Sequence, residues 1–158
     1  MKIADIKYND IVDGEKVCVS IWFQGCPFHC KGCHNPETWD FNGGYEINYS
    51  ILKEKVLNKL NENNVLRNLS FLGGEPLCKE NIKYTIDLAK SAKEKYPSIK
   101  IYCWTGNLLE NIIKEYGKEV LTNIDVLIDG PFILSQRDIT LKLRGSKNQR
   151  ILRKNIDF

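Results

Sequence analysis

This sequence predicts an α/β fold, a partial (incomplete) TIM-like barrel of βα units with a mainly parallel sheet. Three observations carry that reading. Strand-like apolar runs alternate with segments of helical period, the pattern of βαβ units. Four of those runs close on glycine-rich or polar turns, namely Gln24-Gly25, Gly73-Gly74-Glu75, Thr105-Gly106 and Asp129-Gly130. Eight βα units need about 200 residues or more, so a chain of 158 residues supplies only part of a barrel. No repeat, low-complexity segment or Pro/Gly/Ser-rich linker divides residues 1–158, which therefore read as one domain.

Val17 to Phe23 alternates, with Val17, Val19, Ile21 and Phe23 on one face, and predicts the first strand. It runs directly into Gln24-Gly25-Cys26. From there to Gly43-Gly44, Pro27, Pro36 and several glycines interrupt any period, which predicts a long functional loop. Ser50 to Asn63 carries Ile51, Leu52, Val56, Leu57 and Leu60 at helical spacing. Leu69-Ser70-Phe71-Leu72 reads as a short buried strand ending in Gly73-Gly74-Glu75-Pro76. Asn81 to Tyr96 predicts a second helix, with Ile82, Ile86, Ala89 and Lys93 spaced by about a turn.

Ile99 to Cys103 is the next strand, closing at Trp104-Thr105-Gly106. Asn107-Leu108-Leu109-Glu110 resembles a capping box opening a helix through Glu115, and Gly117 is placed to stop it. Ile124 to Ile128 is a further buried strand ahead of Asp129-Gly130, while Ile139 to Leu143 and Gln149 to Arg153 are candidate short strands. Trp22, Phe23 and Phe71 are expected in the core. Ligands of parallel sheets collect beyond the carboxyl ends of the strands, so the four turns should share one rim.

Charged residues at 27% and apolar residues at 42% describe an ordinary globular protein. The net charge of +3 is small and no basic block stands clear of acidic neighbours, so nothing points to nucleic acid. Met1-Lys2-Ile3-Ala4-Asp5 opens no signal peptide, and no apolar run approaches the roughly 20 residues that cross a bilayer. The expectation is a cytoplasmic protein without a membrane segment.

The six cysteines divide into two kinds. Cys18, Cys78 and Cys103 are scattered beside apolar residues and read as small buried hydrophobes. Cys26-Pro27-Phe28-His29-Cys30-Lys31-Gly32-Cys33 instead brings three thiolates onto one short loop. In a reducing compartment such a group binds metal more readily than it forms disulfides. A cubane iron–sulfur cluster normally takes one Cys at each of its four irons. Three ligands leave one iron open to a small molecule, which argues for chemistry above a structural staple. The alternative is a zinc-stabilised binding module. Zinc would need a fourth ligand from His29 or His34, and each adjoins a cysteine, an awkward geometry for one tetrahedral ion.

Read with Gly73-Gly74-Glu75-Pro76, the three cysteines resemble the signature of radical S-adenosylmethionine enzymes. The stretch from Gly25 through Cys33-His34-Asn35-Pro36-Glu37-Thr38-Trp39 is similar to the small anaerobic ribonucleoside-triphosphate reductase-activating proteins. So are Trp104-Thr105-Gly106, Asp129-Gly130-Pro131-Phe132 and Arg144-Gly145-Ser146-Lys147-Asn148-Gln149, which together take the likeness over nearly the whole chain.

The resemblance implies that Cys26, Cys30 and Cys33 hold three irons of a [4Fe-4S] cluster. The fourth iron would take the amino and carboxylate groups of S-adenosylmethionine. One-electron reduction would cleave the sulfonium to methionine and a 5′-deoxyadenosyl radical, and that radical would take hydrogen from a glycine Cα in the large subunit of the reductase. Backbone around Gly32, Cys33 and His34 would meet the adenine. Gly73 and Gly74 would admit the ligand closely, with Gly74 at the methionine end and Glu75 accepting hydrogen bonds from the ammonium group.

Thr105 and Asp129 are candidates for ribose or methionine contacts, from their strand ends alone. Flavodoxin or ferredoxin would donate the electron, and Phe28 and Trp39 would keep the site dry. An activase for another glycyl radical enzyme, of the pyruvate formate-lyase type, is the neighbouring alternative. Those activases are typically longer, and some carry further cysteine clusters missing here. Arg144, Lys147 and Arg150 read either as a solvated face or as partner contacts.

Overall fold

Two strands with almost no exposed face mark the centre of the molecule. In the computed structural model, which describes residues 1–158, Cys18–Phe23 is buried at every position and Asn68–Gly73 at all but the last. A strand buried on both faces belongs inside a covered parallel sheet. In chain order the elements are β1 (Lys2–Asp10), β2 (Cys18–Phe23), β3 (Tyr45–Glu46), α1 (Tyr49–Lys59), β4 (Asn68–Gly73), α2 (Ile82–Lys95), β5 (Ile101–Trp104), α3 (Leu109–Tyr116), β6 (Val126–Asp129) and β7 (Arg150–Arg153). All seven strands form one sheet in the order β3-β1-β2-β4-β5-β6-β7.

The central strands β2, β4, β5 and β6 pair in parallel, and β1, β3 and β7 add antiparallel pairings on either side. Parallel neighbours require crossovers, which α1, α2 and α3 supply. The fold is thus mixed α/β with a parallel centre. None of its helices is long and apolar enough to cross a membrane.

The sheet's two faces are covered differently. On the helical side Val19, Ile21, Phe23, Leu69, Phe71 and Leu127 pack against Leu52, Val56, Leu88, Ala92 and Ile112 in the main core. Phe23 and Phe71 meet edge to face at 6.0 Å. The other face carries a smaller apolar group, Tyr102, Val126 and Ile128, beside the buried hydroxyls of Ser20 and Ser70. Loops cover that side. The Ser70 hydroxyl donates to the Asp13 carbonyl, Asn68 Nδ2 donates to the Glu15 carbonyl at 2.6 Å, and Trp104 Nε1 donates to the Leu143 carbonyl at 2.6 Å. Cys18, Cys78 and Cys103 are all buried, but only Cys103 joins the apolar core as a small hydrophobe; Cys18 Sγ lies against the Glu15 and Lys16 carbonyls on the loop-covered side.

Several expectations shift. The N-terminal segment is a nine-residue strand between β3 and β2, with Asp5, Lys7 and Asn9 exposed between half-buried Ile6 and Tyr8. A register shift between Ile3 and Asp5 interrupts its alternation, which hid it from the pattern. Residues 139–143 form turns and no strand, whereas Arg150–Arg153 does pair, with β6. The first helix stops at Lys59, and Asn63 beyond it adopts a left-handed conformation that Asn tolerates well.

The anticipated capping box of α3 does not form. Leu108 occupies the N-cap and offers no side-chain bond; the Asp129 carboxylate, arriving from β6, accepts the Leu109 N–H at 2.8 Å instead. Gly117, at φ 84°, ends that helix.

Asp129 is fully enclosed, and Arg150 of β7 donates to both its oxygens while also reaching Glu110. Arg150→Ala is expected to cost about 2–4 kcal/mol by leaving a buried carboxylate without its cation, whereas Glu110→Ala, at an exposed and solvent-screened pair, should cost far less. Urea unfolding of the apo chain measures both, and equal losses would contradict this account.

Candidate active site

The carboxyl ends of β2, β4, β5 and β6 open onto one cavity of about 460 Å³. Its wall includes Cys26, Cys30 and Cys33, the Gly73-Gly74-Glu75 turn, His34, and Thr105-Gly106. The shared rim expected from the four strand-end turns is therefore complete for two of them, Gly73-Gly74-Glu75 and Thr105-Gly106; at Asp129-Gly130 only Gly130 lines the cavity, and after β2 the lining begins at Cys26, one residue beyond Gln24-Gly25.

The cysteine loop is held at both ends. Gly25 N–H donates to the Thr38 carbonyl at 2.8 Å and Cys26 N–H to the Trp39 carbonyl at 3.1 Å, which closes its base. Buried Gln24 reaches across the same base, its Nε2 donating to the carbonyls of Glu37 and Asp40 at 3.0 and 2.7 Å. A turn from Cys33 N–H to the Cys30 carbonyl, 3.0 Å, keeps those two cysteines together. Asn35 N–H then donates to Cys33 Sγ at 3.4 Å, the kind of bond to sulfur that tunes a cluster's potential. His29 stacks on Trp39 with ring centroids 4.9 Å apart.

Glycine at 73 and 74 answers first to the chain itself. Gly73 sits at φ 96°, and a Cβ there would come within 2.7 Å of the Trp22 backbone; a Cβ on Gly74 would collide with the Gly25 carbonyl oxygen. This contact lets Gly74 N–H reach the Phe23 carbonyl and Glu75 N–H the Gly25 carbonyl, both at 2.8 Å. The ends of β2 and β4 are thereby locked together. Asn81, 4% exposed at the start of α2, completes the lock, with Nδ2 donating to the carbonyls of Gln24 and Glu75 at 3.0 Å each.

Glu75 is 2% exposed, and its two oxygens accept the N–H groups of Leu77 at 2.9 Å and Gly106 at 2.8 Å. The carboxyl so ties β4's turn to β5's. Burial pushes its pKa up to about 7, against the lowering effect of those bonds. Asp13, also on the cavity wall, is pushed up to about 7 by burial and by its neighbour Asp10. Burial likewise raises the Cys26 thiol to about 11, so a metal ligated there must displace a proton.

Of the residues anticipated as ligand contacts, Cys33, His34, Gly73, Gly74, Glu75 and Thr105 share the cavity wall. Gly32 is exposed and lies off that wall, at φ 75° against Leu134. Asp129 is turned away to cap α3 and pair Arg150. The contacts made by Gln24, Asn81 and Asp13 had no sequence signal, because each acts on a partner that the fold alone brings near.

The donor set suits a cubane better than a single ion. No three His, Cys, Asp or Glu side chains converge closely enough to hold one metal ion. Zinc gathers its donors about 2.0–2.3 Å from one point, whereas a cubane takes one thiolate at each iron corner and keeps its ligands apart. Three soft thiols on one cavity wall fit the second arrangement.

Comparison with known proteins agrees on the class: a family model described as a 4Fe-4S single cluster domain matches residues 12–152. Relatives named anaerobic ribonucleoside-triphosphate reductase-activating protein match nearly end to end. The Haemophilus influenzae protein is 34% identical over 146 residues, 92% of this chain and 93% of the relative. The protein of Escherichia coli K12 is 32% identical over 141 residues, covering 89% and 90%. That of Enterobacteria phage T4 is 33% identical over 144 residues, covering 90% and 87%. The chain belongs to the anaerobic ribonucleoside-triphosphate reductase-activating protein family.

Two outcomes are expected of the apo chain. Asn81→Ala strips two buried carbonyls of their donor and should cost about 2–4 kcal/mol, with faster proteolysis of the cysteine loop. Glu75 holds a proton in the folded state up to about pH 7 but releases it near 4.5 when unfolded. Its contribution is therefore complete below about 4.5 and lost as pH rises toward 7, with Asp13 acting in the same direction. Unfolding free energies measured across pH 4.5–7 should fall, and Glu75→Gln should flatten the slope; an unchanged slope would contradict the assignment.

Proposed function

We propose that this chain activates an anaerobic ribonucleoside-triphosphate reductase by placing a glycyl radical on the reductase's large subunit, as a radical S-adenosylmethionine enzyme. The observation that carries this reading is that Cys26, Cys30 and Cys33 share one cavity with the Gly73-Gly74-Glu75 turn. The relatives' names supply the target. Bound by three thiolates, a [4Fe-4S] cluster supplies the electron that splits S-adenosylmethionine into methionine and the 5′-deoxyadenosyl radical that takes hydrogen from glycine.

The chain's own residues position the ligand and exclude water. Backbone at Cys33 and His34, which Gly32 precedes from just off the wall, takes the adenine, Gly73, Gly74 and Glu75 take the methionine end, and Thr105 takes the ribose or the methionine end. Asp129 contributes at one remove, by holding the strand end beside Gly130. Phe28 lies against Gly106 and Trp39 stacks on His29, both on the wall, where they shield the radical from solvent.

Residues 1–158 act as one domain. Its sheet, with β3 and β7 as edges, is the incomplete TIM-like barrel, and its open side admits the partner's glycine-bearing loop. The electron comes from flavodoxin or ferredoxin, in the cytoplasm.

The deciding experiment incubates anaerobically reconstituted protein with reductant, S-adenosylmethionine and the reductase. A glycyl paramagnetic resonance signal together with 5′-deoxyadenosine is expected, and Cys30→Ala should lose the cluster's iron and the signal together. A Cys30→Ala protein that still generates the radical sinks the reading. Phe28→Ala and Trp39→Ala should keep the cluster yet raise cleavage of S-adenosylmethionine without radical transfer.

A further inference from the structure

Two carboxyl groups meet beneath the 11–17 loop, away from the cysteines. Asp10, the last residue of β1, is 6% exposed. Its Oδ1 accepts the N–H groups of Val12 at 2.8 Å and Asp13 at 3.3 Å, whereas Oδ2 is buried with no partner. Ser20, fully buried on the adjoining β2, turns its hydroxyl toward the Asp10 carboxyl yet completes no hydrogen bond. Ser70, which pairs with Ser20 across β2 and β4, donates its hydroxyl to the Asp13 carbonyl and so pins the loop over the same spot. The Asp13 carboxyl comes within hydrogen-bonding reach of Asp10 and also lines the cavity.

Adjacent carboxylates in a buried place repel each other and need a proton or a cation between them. No side chain supplies that cation. Lys7, the one cation whose charge reaches Asp13, lies over the Trp22 ring, 4.3 Å from its centroid. Cys18, the remaining titratable group beside the pair, is kept neutral by burial, its thiol pushed up to about 11. Three oxygens are thus left facing one point: Asp10 Oδ2, the Asp13 carboxyl and Ser20 Oγ.

We propose that Asp10, Asp13 and Ser20 bind a hard divalent cation of the Mg²⁺ class, reached from the cavity through Asp13. Oxygen donors suit such ions, and Mg²⁺ is commonly held by one or two carboxylates while it keeps several waters. The cavity beside Asp13 has room for those waters. Softer metals prefer thiolates and go to the cysteines instead. The bound ion ties the end of β1, the middle of β2 and the 11–17 loop together, and so stiffens the part of the cavity wall that Val12 and Asp13 form. The proposal stands whatever the cavity's organic ligand is.

The test titrates anaerobically reconstituted protein, whose cluster occupies the cysteines, with Mn²⁺ as the probe. Free Mn²⁺ is followed by its paramagnetic resonance signal at a pH about one unit above 7, where Asp13 has lost its proton. One Mn²⁺ per chain is expected, displaced by Mg²⁺. Asp10→Asn and Asp13→Asn should each weaken it roughly tenfold or more, as for loss of one charged ligand, and Ser20→Ala should weaken it less. Asp138→Asn, at another acid of the wall, should leave it within about twofold. Asn at position 10 keeps an oxygen for the Val12 N–H, and unchanged iron content shows that each variant is folded. Wild-type protein that takes up no stoichiometric Mn²⁺ has a pair sharing a proton and nothing more, which overturns the proposal. Binding that survives both Asn variants, or that Asp138→Asn weakens equally, overturns it too.

Discussion

The ends of β2 and β4 approach so closely that no side chain fits between them, and the rest of the site is arranged around that contact. Gly74 lies against the Gly25 carbonyl, and backbone hydrogen bonds then join the cysteine loop to the following turn. Asn81 donates into both segments from the start of α2, and the Glu75 carboxylate passes the connection on to Gly106 beyond β5. One backbone contact thus fixes the relative position of three loops. Groups that must hold a reactive centre within fractions of an ångström need this kind of rigid support.

The sheet's unequal faces suit the same task. The helical face has an extensive apolar core, which supplies most of the stabilisation because burial of apolar area dominates folding. The opposite face has few apolar residues and several buried hydroxyls, and it is closed by the loops at 11–17 and 131–149. Loops tolerate polar walls and strained backbone better than a packed core does. The cavity, its acids and Arg144 all sit on the loop-covered side.

Much of this was legible in the residues. The parallel strands, the three helices and the cysteine loop follow from apolar period and from glycine and proline positions, and the carboxyl-end rim follows from the alternation of strand and helix. What escaped detection has a common cause. β1 was hidden by a register shift, the cap of α3 comes from Asp129 some 20 residues away, and Arg144 reads as a surface charge until Trp104 and Gln149 fix its backbone. Each depends on a partner distant in sequence.

By itself the sequence determined which chemistry is available, because the number and spacing of Cys26, Cys30 and Cys33 are local properties that survive any folding of the remainder. It also determined the alternation of elements, since hydrophobic period is read within a single turn or strand. Only the tertiary structure decided the duties of the charged and polar residues. It sent Asp129 to a helix cap, gave Glu75's carboxylate to two backbone N–H groups, and set the carboxyls of Asp10 and Asp13 against each other. The physical reason is that a hydrogen bond or ion pair is defined by three-dimensional proximity, which long-range packing supplies and no window of sequence contains.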